Sequence, residues 1–139
     1  MAKQLATFIV DGTRYGIDVL RVQEVLRAHA RTAVPLAPIG VTGLVNLRGQ
    51  VVMTIDLRSR LELPPLAADA EPMMVVVEVD GEAISLLVDE IGDVFDVDDS
   101  QFETPPDTLP AALREVILGA YKLDQGLLLA LDVDNATAA

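Results

Sequence analysis

The chain has no cysteine and no tryptophan, and it has one histidine, His29. Without cysteine there can be no disulfide, zinc–thiolate site, iron–sulfur cluster or cysteine nucleophile. A Ser–His–Asp triad would have only His29 to use, and that residue stands among Ala28, Ala30 and Arg31 with no nucleophile motif beside it. Aromatic residues are 4% of the 139, so the core has to be aliphatic. Positive charge is scarce: 10 Lys and Arg face 22 Asp and Glu, a net charge of −12. That balance argues against a nucleic-acid partner, which needs a basic face to release counterions, and against anionic membrane surfaces. It favours partners with basic or apolar patches. No charge-free run at the start resembles a signal peptide, because Lys3, Asp11 and Arg14 interrupt it, and no apolar run reaches membrane-spanning length. The expected compartment is the cytoplasm, with no direct membrane insertion. Phosphate-loop, dinucleotide and nucleophile-elbow motifs are missing too, and no cofactor is expected.

What is present is aliphatic. Hydrophobic residues make up 51% of the chain, enough for the core of one ordinary domain. The stretch Gly43–Leu57 organises the rest: two apolar runs flank Arg48-Gly49-Gln50. In the second run Val51, Met53, Ile55 and Leu57 share one face and Val52, Thr54 and Asp56 the other, the period of a half-buried strand. In the first, Val45 and Leu47 facing inward turn Leu44, Asn46 and Arg48 outward. Gly49 suits a tight reversal, so the stretch reads as a β-hairpin with an arginine beside its turn.

Taken in order, Leu5–Val10 reads as a strand, Asp11-Gly12 as a turn and Arg14–Ile17 as the returning strand. Asp18 is placed to cap a short helix, with Val19, Val22, Val25 and Leu26 at helical spacing. Thr32–Pro38 holds two prolines and reads as extended or looping. After the hairpin, Arg58–Leu63 reads as one helical turn and Pro64–Pro72 as a linker. Met73–Val79, the turn Asp80-Gly81 and Ala83–Val88 form a second hairpin. Ile91–Val97 reads as extended and Asp98–Pro110 as an acidic loop. Leu113–Leu118 leads from a helical turn into a strand, Leu127–Val133 is a last strand and Asn135–Ala139 a tail.

The two halves resemble each other. Val10-Asp11-Gly12 recurs as Val79-Asp80-Gly81, an offset of 69 at which Val22-Gln23-Glu24-Val25 faces Ile91-Gly92-Asp93-Val94. Further on the offset is 76, aligning Gly43 with Gly119, Leu47 with Leu123 and Asp56 with Asp132. The repeat implies two small β units, too small to be stable apart, with a binding groove between them. Asp56 and Asp132 evoke an aspartic dyad, but Leu57 and Val133 follow them where a protease needs small residues, so a strand-ending cap is the better reading. An EF-hand loop started at Asp96 places Asp98 and Ser100 correctly, yet it has Gln101 where glycine is needed and Asp107 where glutamate is needed. A solvated acidic loop is preferred, and no metal is expected.

Three motifs resemble the CheW-type adaptors that couple bacterial chemosensory arrays. Tyr15-Gly16-Ile17-Asp18 leading to Val22-Gln23-Glu24-Val25 is similar to the family's first signature. Gly43-Leu44-Val45-Asn46-Leu47-Arg48-Gly49, with Val51-Val52 and Ile55-Asp56-Leu57-Arg58, is similar to the central one. Leu86-Leu87-Val88-Asp89-Glu90-Ile91 with Asp93-Val94 is similar to the third. They occur in family order across nearly the whole chain.

The resemblance implies an all-β fold of two intertwined five-stranded SH3-like barrels, built mainly from 5–63 and 73–134 within one CheW-like domain, 1–139. It implies no enzymatic activity. The implied partners are the regulatory domain of a CheA-type histidine kinase, itself similar in fold, and the cytoplasmic tip of a methyl-accepting chemoreceptor. Val22 and Glu24 match partner-binding positions, Ile91 and Val94 match apolar groove positions, and Arg48 matches the arginine tied to receptor coupling. Gly43 and Asn46 support the hairpin. On this reading Val22, Ile91 and Val94 supply apolar area to a receptor helix while Arg48 fixes its orientation. The chain departs from the family where Met53-Thr54 replaces a usual proline, near Gly40 where an aromatic is usual, and after Asp134, where a closing helix is usual. Other readings are an adaptor for a pilus-type or other output and, in another class, a small acidic calcium protein or hydrolase.

Overall fold

The structure, a computed structural model, describes residues 3–27, 41–47, 49–67 and 70–137. His29, the stretch 32–38, Gly40 and Arg48 lie outside the described residues.

Strands dominate because short β-branched and aliphatic runs alternate with Asp-Gly turns. They are β1 (Lys3–Val10), β2 (Thr13–Asp18), β3 (Val22–Arg27), β4 (Val41–Leu47), β5 (Gln50–Asp56), β6 (Met73–Val79), β7 (Glu82–Val88), β8 (Glu90–Val97), β9 (Phe102–Glu103), β10 (Ile117–Leu123) and β11 (Gly126–Leu131). Among the described residues three helices of one turn each are α1 (Leu57–Arg60), α2 (Ala111–Arg114) and α3 (Val133–Ala136). Two sheets result. The first has the order β8-β1-β2-β11-β10-β9, its sixth strand only two residues long; the second has the order β3-β6-β7-β5-β4.

The sheets are intertwined because the halves of the chain exchange hairpins. The β1–β2 hairpin lies between β8 and β11, while the β6–β7 hairpin lies between β3 and β5. The exchange obeys the repeat to the residue. Parallel β5 and β7 pair Met53 with Ile84 and Thr54 with Ser85. Parallel β11 and β2 pair Leu129 with Tyr15 and Ala130 with Gly16, the same pairs shifted by the two offsets. The exchanged hairpins turn alike: Asp11-Gly12 have φ of 52° and 77°, and Asp80-Gly81 have 52° and 82°. Two consecutive positive φ values make the turn whose twist matches antiparallel strands, and glycine at the second position accepts it without strain. Register shifts before Gly43 and before Gly119 are equivalent as well.

Most strands are buried on both faces, which is why their sequences run apolar without a gap. In β11, Leu129 and Leu131 join a central cluster while Leu128 and Ala130 join a cluster on the far face of the first sheet. In β7, Leu86 and Val88 join the central cluster while Leu87 packs with Val45, Val52 and Met74 on the far face of the second. The central cluster takes Phe8, Val10, Tyr15 and Ile17 from one sheet and Ile55, Val75, Val77 and Leu86 from the other. The central cluster is thus shared by both sheets, while each sheet also carries a smaller cluster on its far face.

Four local expectations are corrected. Val19–Leu26 is not a helix: a 3-10 turn, Val19–Arg21, is capped by Asp18 and gives way to β3. The apolar face of β5 is split, with Ile55 buried but Val51 63% and Met53 41% exposed, while Val52 and Thr54 are buried. The acidic loop 98–110 contains a 3-10 turn (Asp99–Gln101) and β9, and the expected tail begins inside α3.

Candidate functional site

The fold places the two equivalent strands β3 and β8 beside the central core. Val22 pairs with Val77 and Val25 with Val75 across β3 and β6, with a register shift between Val22 and Glu24. Ile91 pairs with Phe8 and Val94 with Ala6 across β8 and β1, with the matching shift. In a regular strand residues three apart point to opposite faces; the extra residue at each shift returns Val25 and Val94 to the core-facing side. Each strand therefore carries an inner anchor, Val22 or Ile91, packed against the central cluster. Each also carries an outer valine in the open, Val25 at 43% and Val94 at 52% exposure. Val25 was missing from the motif-based site; its signal was the repeat, which sets it opposite Val94.

The same shift turns Glu24 to the far face. There it lines a cleft of about 270 Å³ with Gln23, Leu47, Gln50, Val52, Val76 and Ala83. The first and last strands of the second sheet thus approach each other, and Glu24 faces the tip of the β4–β5 hairpin. Asn46 holds that tip, its Oδ1 accepting from the Gly49 N–H at 2.9 Å. The pairs Leu44–Met53 and Asn46–Val51 place four residues on one side of the hairpin, and Leu44, Val51 and Met53 there are exposed. Arg48, between Leu47 and Gly49 in the sequence, lies outside the described residues. Gly43 is buried at the other end of β4, opposite Thr54. Val22 and Glu24, two residues apart, therefore serve opposite faces of one strand.

The strongest polar feature is a contact no motif assigned. Arg58, on α1, donates from Nε to Asp89 Oδ1 at 2.8 Å and from Nη2 to Asp89 Oδ2 at 2.6 Å. Its Nη1 donates to the Pro64 carbonyl at 2.8 Å, and Asp11 lies 3.5 Å from Nη2. Asp89 also accepts from the Asp11 N–H at 2.8 Å. The Arg58 guanidinium holds the Asp89 carboxyl below the usual carboxylate range, and the Asp11 N–H adds to this against the opposing effect of burial. Asp89 in turn pushes the Arg58 pKa further up. A carboxyl that titrates lower when folded stabilises the fold above the ordinary carboxylate range, and that stability is lost as pH falls through the folded value. Urea midpoints at pH 5 and pH 3 should therefore differ more for the wild type than for Asp89→Asn; equal differences would mean that Asp89 is not the linked group. Tyr15, buried and near Asp11, is pushed up to about 12, desolvation being the larger cause.

The carboxylates considered for catalysis are in structural use. Asp56 Oδ1 accepts from the Arg58 N–H and Asp132 accepts from Asn135, each capping a short helix. Asp98 caps its 3-10 turn through the Ser100 N–H. Among the described residues no group of three His, Asp or Glu is placed to hold a metal ion. No described helix is long and apolar enough to cross a membrane.

Comparison with known proteins decides the family. A sequence model of the CheW-like domain matches residues 4–139. The chain belongs to the CheW-like domain family. The CheW-like chain is 32% identical over 105 residues to the chemotaxis protein CheW of Bacillus subtilis (strain 168), covering 76% of this chain and 67% of that one. It is 26% identical over 132 residues to a probable chemotaxis protein CheW of Rhizobium etli, covering 95% and 85%. The crystal structure of the scaffolding protein TtCheW from Thermoanaerobacter tengcongensis superposes with a TM-score of 0.88 at 25% identity, covering all of this chain and 94% of that one. Fold and family together make this CheW-like chain a chemotaxis coupling scaffold.

Proposed function

We propose that the chain is a non-catalytic cytoplasmic scaffold that bridges the regulatory domain of a CheA-type histidine kinase and the cytoplasmic tip of a chemoreceptor. One observation carries this reading: β3 presents Val25 on one face and Glu24 on the other, so two partners can dock at once. The apolar walls Val22/Val25 and Ile91/Val94 suit the kinase domain, whose similar fold offers apolar β surface. The Glu24 side of the second sheet, with Leu47 and Gln50 at the tip of the β4–β5 hairpin, suits a helical receptor tip. Val22, Ile91 and Val94 are thus assigned to the kinase side rather than to the receptor helix. Reversible assembly calls for micromolar affinities, roughly −8 kcal/mol per partner. Holding receptor and kinase together lets receptor state shift kinase activity through a coupling free energy.

Arg48→Glu should weaken capture of a receptor-tip fragment by about tenfold or more while leaving kinase-domain binding intact. The melting temperature should hardly change, with stability moved by no more than ~0.5 kcal/mol. Equal loss on both sides, or a large fall in stability, would place Arg48 in the framework instead.

A further inference from the structure

The chain crosses between the sheets twice near the proposed docking walls: at Asp89, between β7 and β8, and at Arg21, between β2 and β3. Each crossover is held by a charge on a short helix from the other half of the chain. Arg58 of α1 grips Asp89 through two hydrogen bonds, both side chains mostly buried. Asp134 of α3 takes Arg21 Nη2 at 2.9 Å, this pair being more exposed. The repeat makes these equivalent sites with reversed polarity: Arg58 and Asp134 correspond at the offset of 76, and Arg21 corresponds to Glu90, beside Asp89, at the offset of 69. Both crossovers are also tied to equivalent carbonyls. Ile9 O accepts from the Asp89 N–H at 3.0 Å, and Glu78 O accepts from Arg21 Nε at 3.0 Å.

What the clamps hold is the root of each wall. Ile91 follows Asp89 by two residues, and Val22 follows Arg21 directly. A strand pinned at the residue just before it has its register and tilt fixed there, and the anchors come next. We propose that Arg58–Asp89 and Arg21–Asp134 are positioning pairs that set the geometry of the two docking walls, Arg58 being the stronger determinant because its contact is bidentate and largely enclosed. Arg58 touches no partner in this scheme; it acts through Ile91 and Val94. The inference rests on the reading of β3 and β8 as the kinase-facing walls.

The test is calorimetric titration of the full chain with the kinase regulatory domain, using Arg58→Met, the charge-swapped Arg58→Asp/Asp89→Arg, Asp134→Ala and Leu128→Ala. Leu128 is fully buried on the far face of the first sheet and serves as a control for stability alone. Arg58→Met should lose affinity by about tenfold and the swapped pair should regain most of it, because reversed polarity is already used at the equivalent crossover. Asp134→Ala should fold normally and lose about threefold, whereas folded Leu128→Ala should keep wild-type affinity. Wild-type affinity in folded Arg58→Met overturns the proposal, as does a loss in Leu128→Ala equal to that in Arg58→Met. Should Arg58→Met not fold, Asp134→Ala decides by the same criterion. Should the wild type itself not bind, the partner assignment fails, and amide exchange at Ile91 and Val94 then decides the clamp: faster exchange in Arg58→Met, or in Asp134→Ala at Val22 and Val25, upholds it and unchanged exchange overturns it.

Discussion

Leu86→Ala should lower unfolding free energy by about 3 kcal/mol, the usual cost of emptying a fully enclosed leucine site. Leu86 is completely buried in β7, paired with Val75 on one side and Ile55 on the other, and it faces the central cluster shared by both sheets. The location of the signal matters more than its size. Leu86 is in the second sheet, while both tyrosines, Tyr15 and Tyr121, are in the first. With no tryptophan present, emission reports the first sheet and far-ultraviolet dichroism reports both. Because the halves exchange hairpins and share a core, the urea midpoints from the two probes should fall together. A shift in dichroism with unchanged tyrosine emission would mean that the sheets unfold separately and that the exchange does not couple them.

The second large effect concerns binding. Val94→Asp should reduce affinity for the kinase regulatory domain by about tenfold or more, near 1.4 kcal/mol, because it sets a charge on an apolar wall that must lose water on docking. Val94 is 52% exposed in the free protein, so the fold should tolerate the change. Receptor-tip binding should survive, since the hairpin and Glu24 surface is not altered. Paired with Arg48→Glu, this makes two substitutions with opposite selectivity. If Val94→Asp left kinase binding unchanged, the apolar walls would not be the kinase surface.

Much of this was legible in the residues. Asp11-Gly12 and Asp80-Gly81 announced two hairpins, and the offsets of 69 and 76 announced two units. The caps at Asp18 and Asp56 follow from a carboxylate standing before a short turn. The exchange of hairpins was not legible, because a repeat shows that two copies exist but not which copy each strand pairs with. The misread helix at Val19–Leu26 has a physical cause. A register shift in β3 places Val22 and Val25 on one face three residues apart, and that spacing imitates a helical turn. Alternation likewise grouped Val51 and Met53 with Ile55, but it cannot tell where along a strand the opposing layer ends. The Arg58–Asp89 pair escaped because its members are far apart in sequence and neither is unusual in its own motif.

The coupling account depends on both partners being held at once. Its most direct test is titration of the full chain with the CheA-type regulatory domain, followed by titration of that saturated complex with a receptor-tip fragment. The account predicts that the fragment binds the complex with an affinity close to that for the free chain, giving a ternary species. Displacement of the kinase domain by the fragment would contradict it, because both partners would then be competing for one face of β3.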